Sequence, residues 1–421
     1  MNVDTLIVGG GPAGLAAALS AHRNGVKDVL LIERGPELGG ILPQCIHDGF
    51  GTVVFKERLT GPEYAERFIQ KIRKAGINVK LETMVIAIDH NKRVIAVNPT
   101  DGLLDIQAKT LILAMGCRER TRQQILIPGD RPAGVFTAGV AQRYINMEGI
   151  MPGKRIVILG SGDVGLIMAR RFTLEGAEVE GVYEIMPTPG GLTRNLVQCL
   201  QDFEIPLHLS HTIVNIQGRE RVEGVTVAQV DSDLKPIKGT ERFVPCDTVV
   251  VSVGLIPENE LSEMVPLTID PVIGGPVVDE TMETSEAGIF AAGNVVHVHD
   301  LVDDVSAEGE VAGKAAARKI AGELKEKENP TKAEAGENVT YVVPQEIRKK
   351  NFDQNLKLSF RVKQVQRNNL IKVAADGKPI YSRKERVVRP PEMLSVKLPF
   401  SALEHAQVVK VAVEKDNEES A

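Results

Sequence analysis

The sequence predicts an α/β protein with two doubly wound parallel-sheet domains, the second inserted in the first, followed by a small C-terminal all-β domain. Three observations support this prediction. Two apolar strand patterns, 151 residues apart, each lead into a three-glycine turn and an Ala/Leu-rich helix pattern. Two later apolar strands, at 109–116 and 248–254, each end in glycine. Beyond residue 339, apolar and polar residues alternate at the two-residue period of half-buried strands.

The two three-glycine turns share one spacing. Gly-x-Gly-x-x-Gly occurs at 9–14 and again at 160–165, and an acid, Glu33 or Glu184, ends the next strand 19 residues after the last glycine. The glycines allow a tight turn and the close approach of a pyrophosphate, the helix N-terminus supplies N–H groups to the phosphates, and the acid binds ribose hydroxyls. The repeated pattern therefore predicts two Rossmann-like dinucleotide-binding domains, with electron transfer between their ligands.

The order of motifs along the chain sets the domain limits. The second nucleotide-binding domain spans 113–254, between the two strands that end in glycine. A short apolar strand ending in Gly293-Asn294 follows it, so the chain is expected to return to the first domain. We therefore expect the first domain to comprise residues 1–112 and 255–322.

The C-terminal part of the chain has a different composition. Residues 323–338 are charged and poor in apolar side chains, as in a linker. Residues 339–421 show alternating strand patterns and an Asp376-Gly377 turn that indicates a hairpin, so we expect a small β-sandwich domain. Within 339–411 there are 15 Lys/Arg and 6 Asp/Glu, a local charge of +9 in a chain whose net charge is −6.

Composition is that of a globular protein, with 43% hydrophobic and 25% charged residues. No run of 18 apolar residues predicts a membrane span, and the N-terminus enters a strand without a basic, cleavable leader. The four cysteines show neither Cys-x-x-Cys nor metal-ligand spacing, which favours the reducing cytoplasm and predicts no metal site. The net charge gives no case for nucleic-acid binding.

These motifs resemble those of the FAD/NAD(P)-dependent pyridine nucleotide oxidoreductases, the superfamily of glutathione reductase and thioredoxin reductase. The resemblance covers about residues 1–322 and implies FAD at the first three-glycine turn and NAD(H) at the second. Glu184 would repel a 2′-phosphate and no Arg follows it in Glu184-Ile-Met-Pro, which favours NAD(H) over NADP(H). The late motif of the family is usually Gly-Asp. Here it is Gly293-Asn294, whose amide oxygen can still accept one hydrogen bond from the flavin ribityl chain.

The resemblance also implies which residues form the two sites. The residues expected to bind FAD are Gly9, Gly11, Pro12, Ala13, Gly14, Glu33, Arg34, Gly40, Gly116, Gly293, Asn294 and Asp303. The residues expected to bind NAD(H) are Gly160, Gly162, Asp163, Val164, Gly165, Glu184 and Gly254. We expect Asp303 and Asp304 to cap the helix that begins there, with its N-terminus facing the flavin. His297 and His299 are expected to line the flavin edge rather than to bind a metal.

Longer stretches of the chain resemble one subgroup of this superfamily. The loop 38–51, which contains Cys45 and His47, and the segment 293–303 are similar to FAD subunits of multi-subunit dehydrogenases, such as amino-acid dehydrogenases and hydrogen cyanide synthase. Together with 60–67 they also resemble the reductases associated with anaerobic-type glycerol-3-phosphate dehydrogenase. This resemblance implies an oligomeric assembly with a second dehydrogenase subunit that has its own flavin, with or without an iron–sulfur subunit.

The redox dithiol of this superfamily has no counterpart in the sequence. Where glutathione reductase-type enzymes place Cys-x4-Cys, this chain has Leu42 and His47, and the thioredoxin reductase-type Cys-x-x-Cys is missing from 134–141. Dithiol exchange is therefore disfavoured. Cys45 and His47 are the candidate catalytic residues near the flavin. Cys45 is either a single redox thiol or a small buried residue.

Three functions are consistent with the sequence. The first is an FAD-dependent NAD(H) oxidoreductase that passes hydride between NADH and flavin, as a subunit of a larger dehydrogenase complex of the glycerol-3-phosphate or amino-acid type. The second is a free-standing NADH oxidase or peroxidase that uses Cys45. The third is a structural flavoprotein subunit whose second site holds ATP or no nucleotide. The basic C-terminal domain either docks an acidic partner subunit, which would favour the first function, or presents a solvated basic face without a partner.

Overall fold

The computed structural model describes residues 1–324, 329–348, 355–403 and 405–416. The helices of these residues, α1 to α7 in chain order, are Pro12–Arg23, Gly61–Ala75, Ala138–Asn146, Asp163–Leu174, Thr193–Asn195, Glu260–Met264 and Val302–Ile320. The strands, β1 to β27 in chain order, are Asn2–Val8, Val29–Ile32, Asp48–Phe50, Leu59–Thr60, Asn78–Lys80, Met84–Ile88, Arg93–Asn98, Gly102–Leu113, Cys117–Glu119, Val135–Thr137, Arg155–Leu159, Glu178–Glu184, Leu207–Leu209, His211–Gly218, Val222–Gln229, Arg242–Pro245, Thr248–Val251, Leu255–Pro257, Ile289–Ala291, Thr331–Ala335, Val339–Val343, Glu346–Ile347, Leu356–Val362, Gln366–Ala375, Lys378–Val388, Leu394–Leu398 and Val408–Lys415.

The chain divides into two compact units, and the second interrupts the first as the sequence predicts. The first unit comprises Met1–Pro43, Asp48–Cys117 and Pro257–Ala421, and the second Gln44–His47 and Arg118–Ile256. The short segment Gln44–His47 was expected in the first domain. It joins the second unit because the Gln44 side chain donates to the Gly139 carbonyl (2.9 Å) and to the Gln142 side chain (3.0 Å).

The first unit is built around one sheet with the order β5-β2-β1-β8-β7-β6, and β19 pairs with β8. The strands β5, β2, β1, β8 and β19 are parallel, whereas β8, β7 and β6 form an antiparallel meander. The 12-residue β8 belongs to both the parallel part and the antiparallel part of this sheet. Residues 104–109 alternate between exposed positions and buried or half-buried ones, and the last four residues are all buried. That change follows the rule that parallel strands covered on both faces are continuously apolar.

The helices α1 and α7 pack closely through small residues. A Cβ atom on Gly309 would lie 2.2 Å from the Ala13 carbonyl oxygen, and one on Gly313 would lie 2.2 Å from that of Ala17. Only glycine permits this backbone approach. The Ala/Gly-rich pattern that predicts α7 therefore also brings α7 against the N-terminal turn of α1, where the first three-glycine turn ends.

The second unit contains a five-stranded parallel sheet with the order β10-β17-β11-β12-β13 and an antiparallel meander β14-β15-β16. Apolar side chains cover both faces of the parallel sheet. Met168 and Phe172 of α4 lie in the core on one face, and Val225 of the meander lies in the core on the other. This is the Rossmann-like arrangement that the second three-glycine turn predicts.

The C-terminal domain is a β-sandwich. Its two sheets, β22-β20-β27-β24-β25 and β21-β23-β26, share one core. The predicted hairpin turn at Asp376-Gly377 joins β24 and β25. The predicted linker 323–338 is wrong in part, because β20 pairs there with β27 and β22. Its inward residues are only Thr and Ala, so the local pattern is too weakly apolar to indicate a strand. The residues 325–328 of that prediction lie outside the described part of the chain.

Ion pairs fix the C-terminal domain to the rest of the first unit. The basic residues involved, with their acidic partners, are Arg348 with Asp279 and Glu283, Lys357 with Asp304, and Arg361 with Asp300. Part of the positive charge of the C-terminal domain is therefore neutralised within the chain. No helix in the described ranges is both long enough and apolar enough to cross a membrane.

Candidate dinucleotide-binding sites

The first three-glycine turn forms an open cradle at the end of β1. Gly9 has φ +108°, and a Cβ atom there would lie 2.3 Å from the Ala114 carbonyl oxygen. A Cβ atom on Gly14 would lie 1.9 Å from the Gly9 carbonyl oxygen, whereas one on Gly11 would meet no atom closer than 3.8 Å. No side chain caps the N-terminus of α1, which begins at Pro12. The space before Gly11 and the N–H groups of that helix turn suit a pyrophosphate.

Glu33 ties this turn to the loop that follows β2. Its Oε2 accepts a hydrogen bond from Gly10 N (2.7 Å) and its Oε1 accepts one from Gly35 N (2.7 Å). Gly39 N donates to the Gly10 carbonyl oxygen (2.9 Å). Gly40, at φ +59°, brings the loop so close that its Cβ would lie 2.9 Å from Gly11 Cα. Each carboxylate oxygen of Glu33 has a further lone pair for a ribose hydroxyl, as predicted for this residue.

Asp303 differs from its predicted role as a helix cap. The N-cap of α7 is Leu301, and no side chain caps that end. Asp303 is buried and accepts hydrogen bonds from Gly51 N (3.2 Å) and Val54 N (2.8 Å), while Asp304 pairs with Lys357. Local sequence patterns could not predict these partners, since they lie 53 to 252 residues away along the chain. Asp303 thus holds the loop that follows Gly51.

The Gly293-Asn294 turn lies against the first three-glycine turn. Gly293 has φ +78°, and its Cβ would lie 2.9 Å from Ala13 Cβ. The Asn294 Oδ1, which was expected to accept from a ribityl hydroxyl, already accepts from His299 N (3.1 Å) and faces His299 Nδ1 at 3.2 Å. Its Nδ2 lies 3.5 Å from Cys117 Sγ. In this arrangement the amide nitrogen of Asn294 is directed away from His299.

His297 and His299 form a buried cluster with Glu308, which sequence analysis missed. Their side chains are 1% and 3% exposed, and both Nε2 atoms lie against Glu308 Oε1, at 2.8 and 2.9 Å. The three ligand atoms lie within 4.8 Å of one another, as a metal site would need. Ligands of a tetrahedral zinc ion are about 3.3 Å apart, so the observed separations are those of hydrogen bonds. The sequence feature that could have indicated this cluster is Glu308, an acid within an Ala/Gly-rich helix pattern.

The second three-glycine turn repeats the first. Gly160 has φ +95°, and its Cβ would lie 2.1 Å from the Ser252 carbonyl oxygen. A Cβ on Gly165 would lie 2.8 Å from the Ser252 side chain, whereas one on Gly162 would meet no atom closer than 3.8 Å. Asp163 and Val164 begin α4, whose N-terminus no side chain caps. This turn also leaves space and N–H groups for a pyrophosphate.

Glu184 occupies the same place here as Glu33 does in the first unit. Its Oε2 accepts hydrogen bonds from Ser161 N (2.9 Å) and Ser161 Oγ (2.6 Å), and its Oε1 accepts one from Met186 N (2.9 Å). Ser161 Oγ in turn accepts from Gly190 N (2.8 Å). Asp163 Oδ1 accepts from Leu192 N (2.8 Å), so its carboxylate holds the loop after β12 rather than projecting freely.

Sequence analysis missed a second repeated element, the Gly-Gly pair after each acid. Gly39-Gly40 and Gly190-Gly191 both lie six and seven residues after their acid. Both pairs pack on their turn: the Gly191 Cβ would lie 2.9 Å from the Ser161 carbonyl oxygen. The equal spacing was visible in the sequence and would have predicted that each acid loop folds over its own turn.

Three further predicted residues lie at the edges of these sites. Gly116 and Gly254 follow their strands with φ +74° and +101°, and a Cβ on either would meet no atom within 4 Å. Both positions therefore allow a ligand to approach the backbone. Arg34 is exposed beside Glu33.

Cys45 has the surroundings of a protonated thiol. Burial raises the pKa of Cys45 to about 12. Its Sγ lies 3.8 Å from Gln142 Oε1, a neutral acceptor. His47 is half-buried two residues later. A thiol with such a pKa is not ionised at neutral pH, which weighs against a nucleophilic or peroxide-reducing role for Cys45.

Comparisons with known proteins agree with this geometry. Residues 3–321 match the family model described as pyridine nucleotide-disulphide oxidoreductase. The chain is 28% identical to hydrogen cyanide synthase subunit HcnB of Pseudomonas protegens over 63% of this chain and 60% of that one. It is 28% identical to the glutamate synthase (NADPH) small chain of Escherichia coli over 73% of this chain and 66% of that one. The chain thus spans about 60% of the length of the HcnB protein.

Thioredoxin reductase of T. acidophilum has a similar fold, with a TM-score of 0.61 and 22% identity over 76% of this chain and 98% of that one. Enzymes of the matched family use FAD and a nicotinamide nucleotide, and both cradles described above suit such ligands. The chain belongs to the pyridine nucleotide-disulphide oxidoreductase family and is an FAD-dependent enzyme.

Proposed function

We propose that this enzyme passes hydride between NADH and FAD as a subunit of a larger dehydrogenase complex of the glycerol-3-phosphate or amino-acid type. The observation that carries this proposal is the pair of matching cradles, each with an acid that bridges the turn and its loop. FAD would occupy the first cradle, at Gly9–Gly14 with Glu33, and NAD(H) the second, at Gly160–Gly165 with Glu184.

The residues of the chain would bind and orient, because bound FAD supplies the two-electron chemistry. The N-terminal turns of α1 and α4 would bind the two pyrophosphates. Gly293 lies against Ala13 of the first cradle, and Asp303 holds the loop that follows Gly51. No acid or base is required for hydride transfer, so Cys45 and His47 keep no assigned step.

Anaerobic titration of the purified protein with NADH tests this proposal. One equivalent of NADH is expected to bleach the flavin absorbance. A flavin that NADH leaves oxidised would support the structural flavoprotein alternative instead. Replacement Cys45→Ser tests the oxidase or peroxidase alternative, and we expect NADH-dependent turnover and peroxide reduction to be unchanged by it.

We propose NADH rather than NADPH as the preferred nucleotide, because the Glu184 carboxylate would repel a 2′-phosphate. The measurement is the ratio of kcat/KM for NADH and NADPH. We expect the ratio in the native protein to exceed that in Glu184→Gln by about tenfold, which corresponds to about 1.4 kcal/mol. A ratio that the substitution leaves unchanged would contradict this assignment.

We further propose that the partner is a second dehydrogenase subunit with its own flavin, with or without an iron–sulfur subunit, in an oligomeric assembly in the cytoplasm. Support comes from relatives that are named as components of larger enzymes and from four cysteines that form no disulfide in the described chain. The outer hairpin β24-β25 keeps exposed cations at Arg367, Lys378 and Arg386. Co-purification after mild lysis is expected to recover the partner from native protein and less from Arg386→Glu. A fully active chain without companions would contradict the proposal.

A further inference from the structure

Beside the first cradle lies a buried cluster that the proposed function does not use. It consists of His297, His299 and Glu308, and Glu308 Oε2 accepts a hydrogen bond from Gly293 N at 3.0 Å. Gly293 in turn lies against Ala13 of the first three-glycine turn. The cluster is therefore one backbone turn away from the residues that border the candidate FAD site.

The contacts of His299 indicate which of its ring nitrogens carry a hydrogen. Asn294 Oδ1 accepts from the backbone N–H of His299, and this donor identifies the oxygen of the amide. His299 Nδ1 faces the same oxygen at 3.2 Å and must therefore donate to it. Its Nε2 faces Glu308 Oε1 at 2.9 Å, which is also an acceptor. A ring that donates from both nitrogens is an imidazolium.

The neighbouring groups agree with this charge state. Burial opposes the charge of Glu308, yet His299 and His297 together hold the pKa of its carboxyl below the usual range, so it is an acceptor. Burial, followed by the proximity of His299, lowers the pKa of His297. His297 Nδ1 has no partner in the described part of the chain, so His297 is a neutral donor through Nε2.

The C-terminal domain holds the segment on both sides of His299. Arg361 Nη2 donates to the Val298 carbonyl oxygen (3.0 Å) and pairs with Asp300. Asp300 Oδ2 also accepts from Met393 N at 2.6 Å, and Arg361 Nε donates to Tyr341 Oη at 3.2 Å. Residues 298 and 300 are thus fixed by a domain that lies outside the matched family region, which ends at residue 321.

We propose that His299 is a buried imidazolium that raises the reduction potential of FAD in the first cradle, and that Arg361 of the C-terminal domain is the positioning residue that keeps it there. The inference rests on the proposed function only in placing FAD at Gly9–Gly14. Replacing His299 by a neutral residue would leave the Glu308 carboxylate uncompensated beside that site. A negative charge in a poorly solvated position disfavours the addition of electrons nearby.

The charge state of His299 is tested first, by a measurement that does not depend on enzyme turnover. Protein labelled with ¹⁵N-histidine contains eight histidines, and the spectrum of His299→Gln assigns the missing ring. At pH 8 we expect both ring nitrogens of His299 to show protonated shifts. The groups around His299 are His297, Glu308, Asp300, Arg361, Tyr341 and Cys117. Glu308→Gln should return His299 to the neutral form. A native His299 with one unprotonated nitrogen at pH 8 would overturn the proposal.

The effect on the cofactor is tested by the midpoint potential, measured by photoreduction against a reference dye. Relative to native protein, His299→Gln is expected to shift the reduction equilibrium about tenfold toward the oxidised form, which is about 30 mV for a two-electron couple. Gln keeps a donor for Glu308, so a purely structural role would leave the potential unchanged. His90→Gln is the matched control and should not move it. If His299→Gln does not fold, His299→Asn is measured in its place, and an unchanged potential in that variant would overturn the proposal.

The role of Arg361 is also tested by the midpoint potential of the flavin. Arg361→Gln is expected to lower the potential in the same direction by less than His299→Gln, and Arg361→Lys to retain the native value. Loss of thermal stability without any change in potential would show that the domain is only a structural support, and would overturn the role of Arg361. Native protein that binds no FAD would contradict the proposed function, while the ¹⁵N measurement would still decide the charge of His299.

Discussion

The two nucleotide-binding turns of this chain use one construction with one exchanged part. In both, the acid at the end of the second strand accepts from the N–H of the residue after the first glycine, and from the N–H two residues beyond itself. In both, a Gly-Gly pair folds back on the turn. The exchanged part is the residue between the first two glycines, which is Gly10 in the first turn and Ser161 in the second.

This difference changes the hydrogen bond that holds the loop after each acid to its three-glycine turn. At the first turn the Gly10 carbonyl oxygen accepts from Gly39 N, and a Cβ on Gly10 would lie 2.6 Å from Leu38 Cδ2. At the second turn Ser161 Oγ accepts from Gly190 N and donates to Glu184. The backbone link of the first site is replaced by a side-chain link in the second. Both acids are structural bridges between the turn and the loop that follows, beside the ribose binding proposed for them.

The largest expected difference between the turns concerns their last glycines. Gly14→Ala would place a Cβ 1.9 Å from the Gly9 carbonyl oxygen, whereas Gly165→Ala would place one 2.8 Å from the Ser252 side chain. The Cβ of Gly165→Ala would also lie 3.0 Å from the Gly160 carbonyl oxygen, so both variants crowd the backbone, but a contact of 1.9 Å requires a much larger shift than contacts of 2.8–3.0 Å. We expect the free energy of unfolding to fall by more than about 3 kcal/mol for Gly14→Ala and by about 1–2 kcal/mol for Gly165→Ala. Urea denaturation provides the measurement.

A second substitution sharpens this comparison. Ser252→Gly removes the two atoms nearest to the Cβ of Gly165→Ala and leaves the Gly160 carbonyl oxygen at 3.0 Å, so the double variant is expected to recover part of the stability that Gly165→Ala loses. No such partner exists for Gly14→Ala, because its obstacle is a carbonyl oxygen. Equal losses for the two single variants would show that the turns do not differ in this way.

The sequence predicted the parts of both sites that depend on local pattern. The glycine spacings, Glu33 and Glu184, and the Asp376-Gly377 hairpin lie where expected, because each is determined by neighbouring residues. The insertion of one nucleotide-binding domain in the other was also predictable, from the order of the strands that end in glycine.

The parts that were missed depend on contacts between residues far apart in the chain. Asp303 holds the loop after Gly51, and Glu308 gathers two histidines, yet no local pattern connects these residues. The strand β20 forms because β27 pairs with it, not because its own residues are apolar. The charge count left a partner surface or a solvated face open for the basic C-terminal domain, and it could not predict that Arg348 and Arg361 form ion pairs within the chain.

The middle glycines offer a test of intermediate size. A Cβ on Gly11 or Gly162 would meet no atom closer than 3.8 Å, so the fold tolerates alanine at both positions. The added methyl group would instead fill the approach of a pyrophosphate. We expect Gly11→Ala to lose FAD and Gly162→Ala to keep FAD while weakening NADH binding by about tenfold or more, about 1.4 kcal/mol. Flavin absorbance and NADH titration measure these effects. Loss of FAD from Gly162→Ala would reverse the assignment of the two sites.

The smallest expected effect comes from the exchanged part itself. Ser161→Gly gives the second turn the residue of the first and removes the Oγ contacts with Glu184 and Gly190. Glu184 keeps its two backbone donors, so we expect the loss of the two Oγ hydrogen bonds to cost about 1 kcal/mol in all, and NADH affinity to fall about fivefold while FAD content stays unchanged. Ser232→Ala, at an exposed position of the same unit, is the control and should leave NADH affinity unchanged. If Ser161→Gly binds NADH as tightly as native protein, a backbone link like that at Gly10 has replaced the side chain, and the two turns are interchangeable.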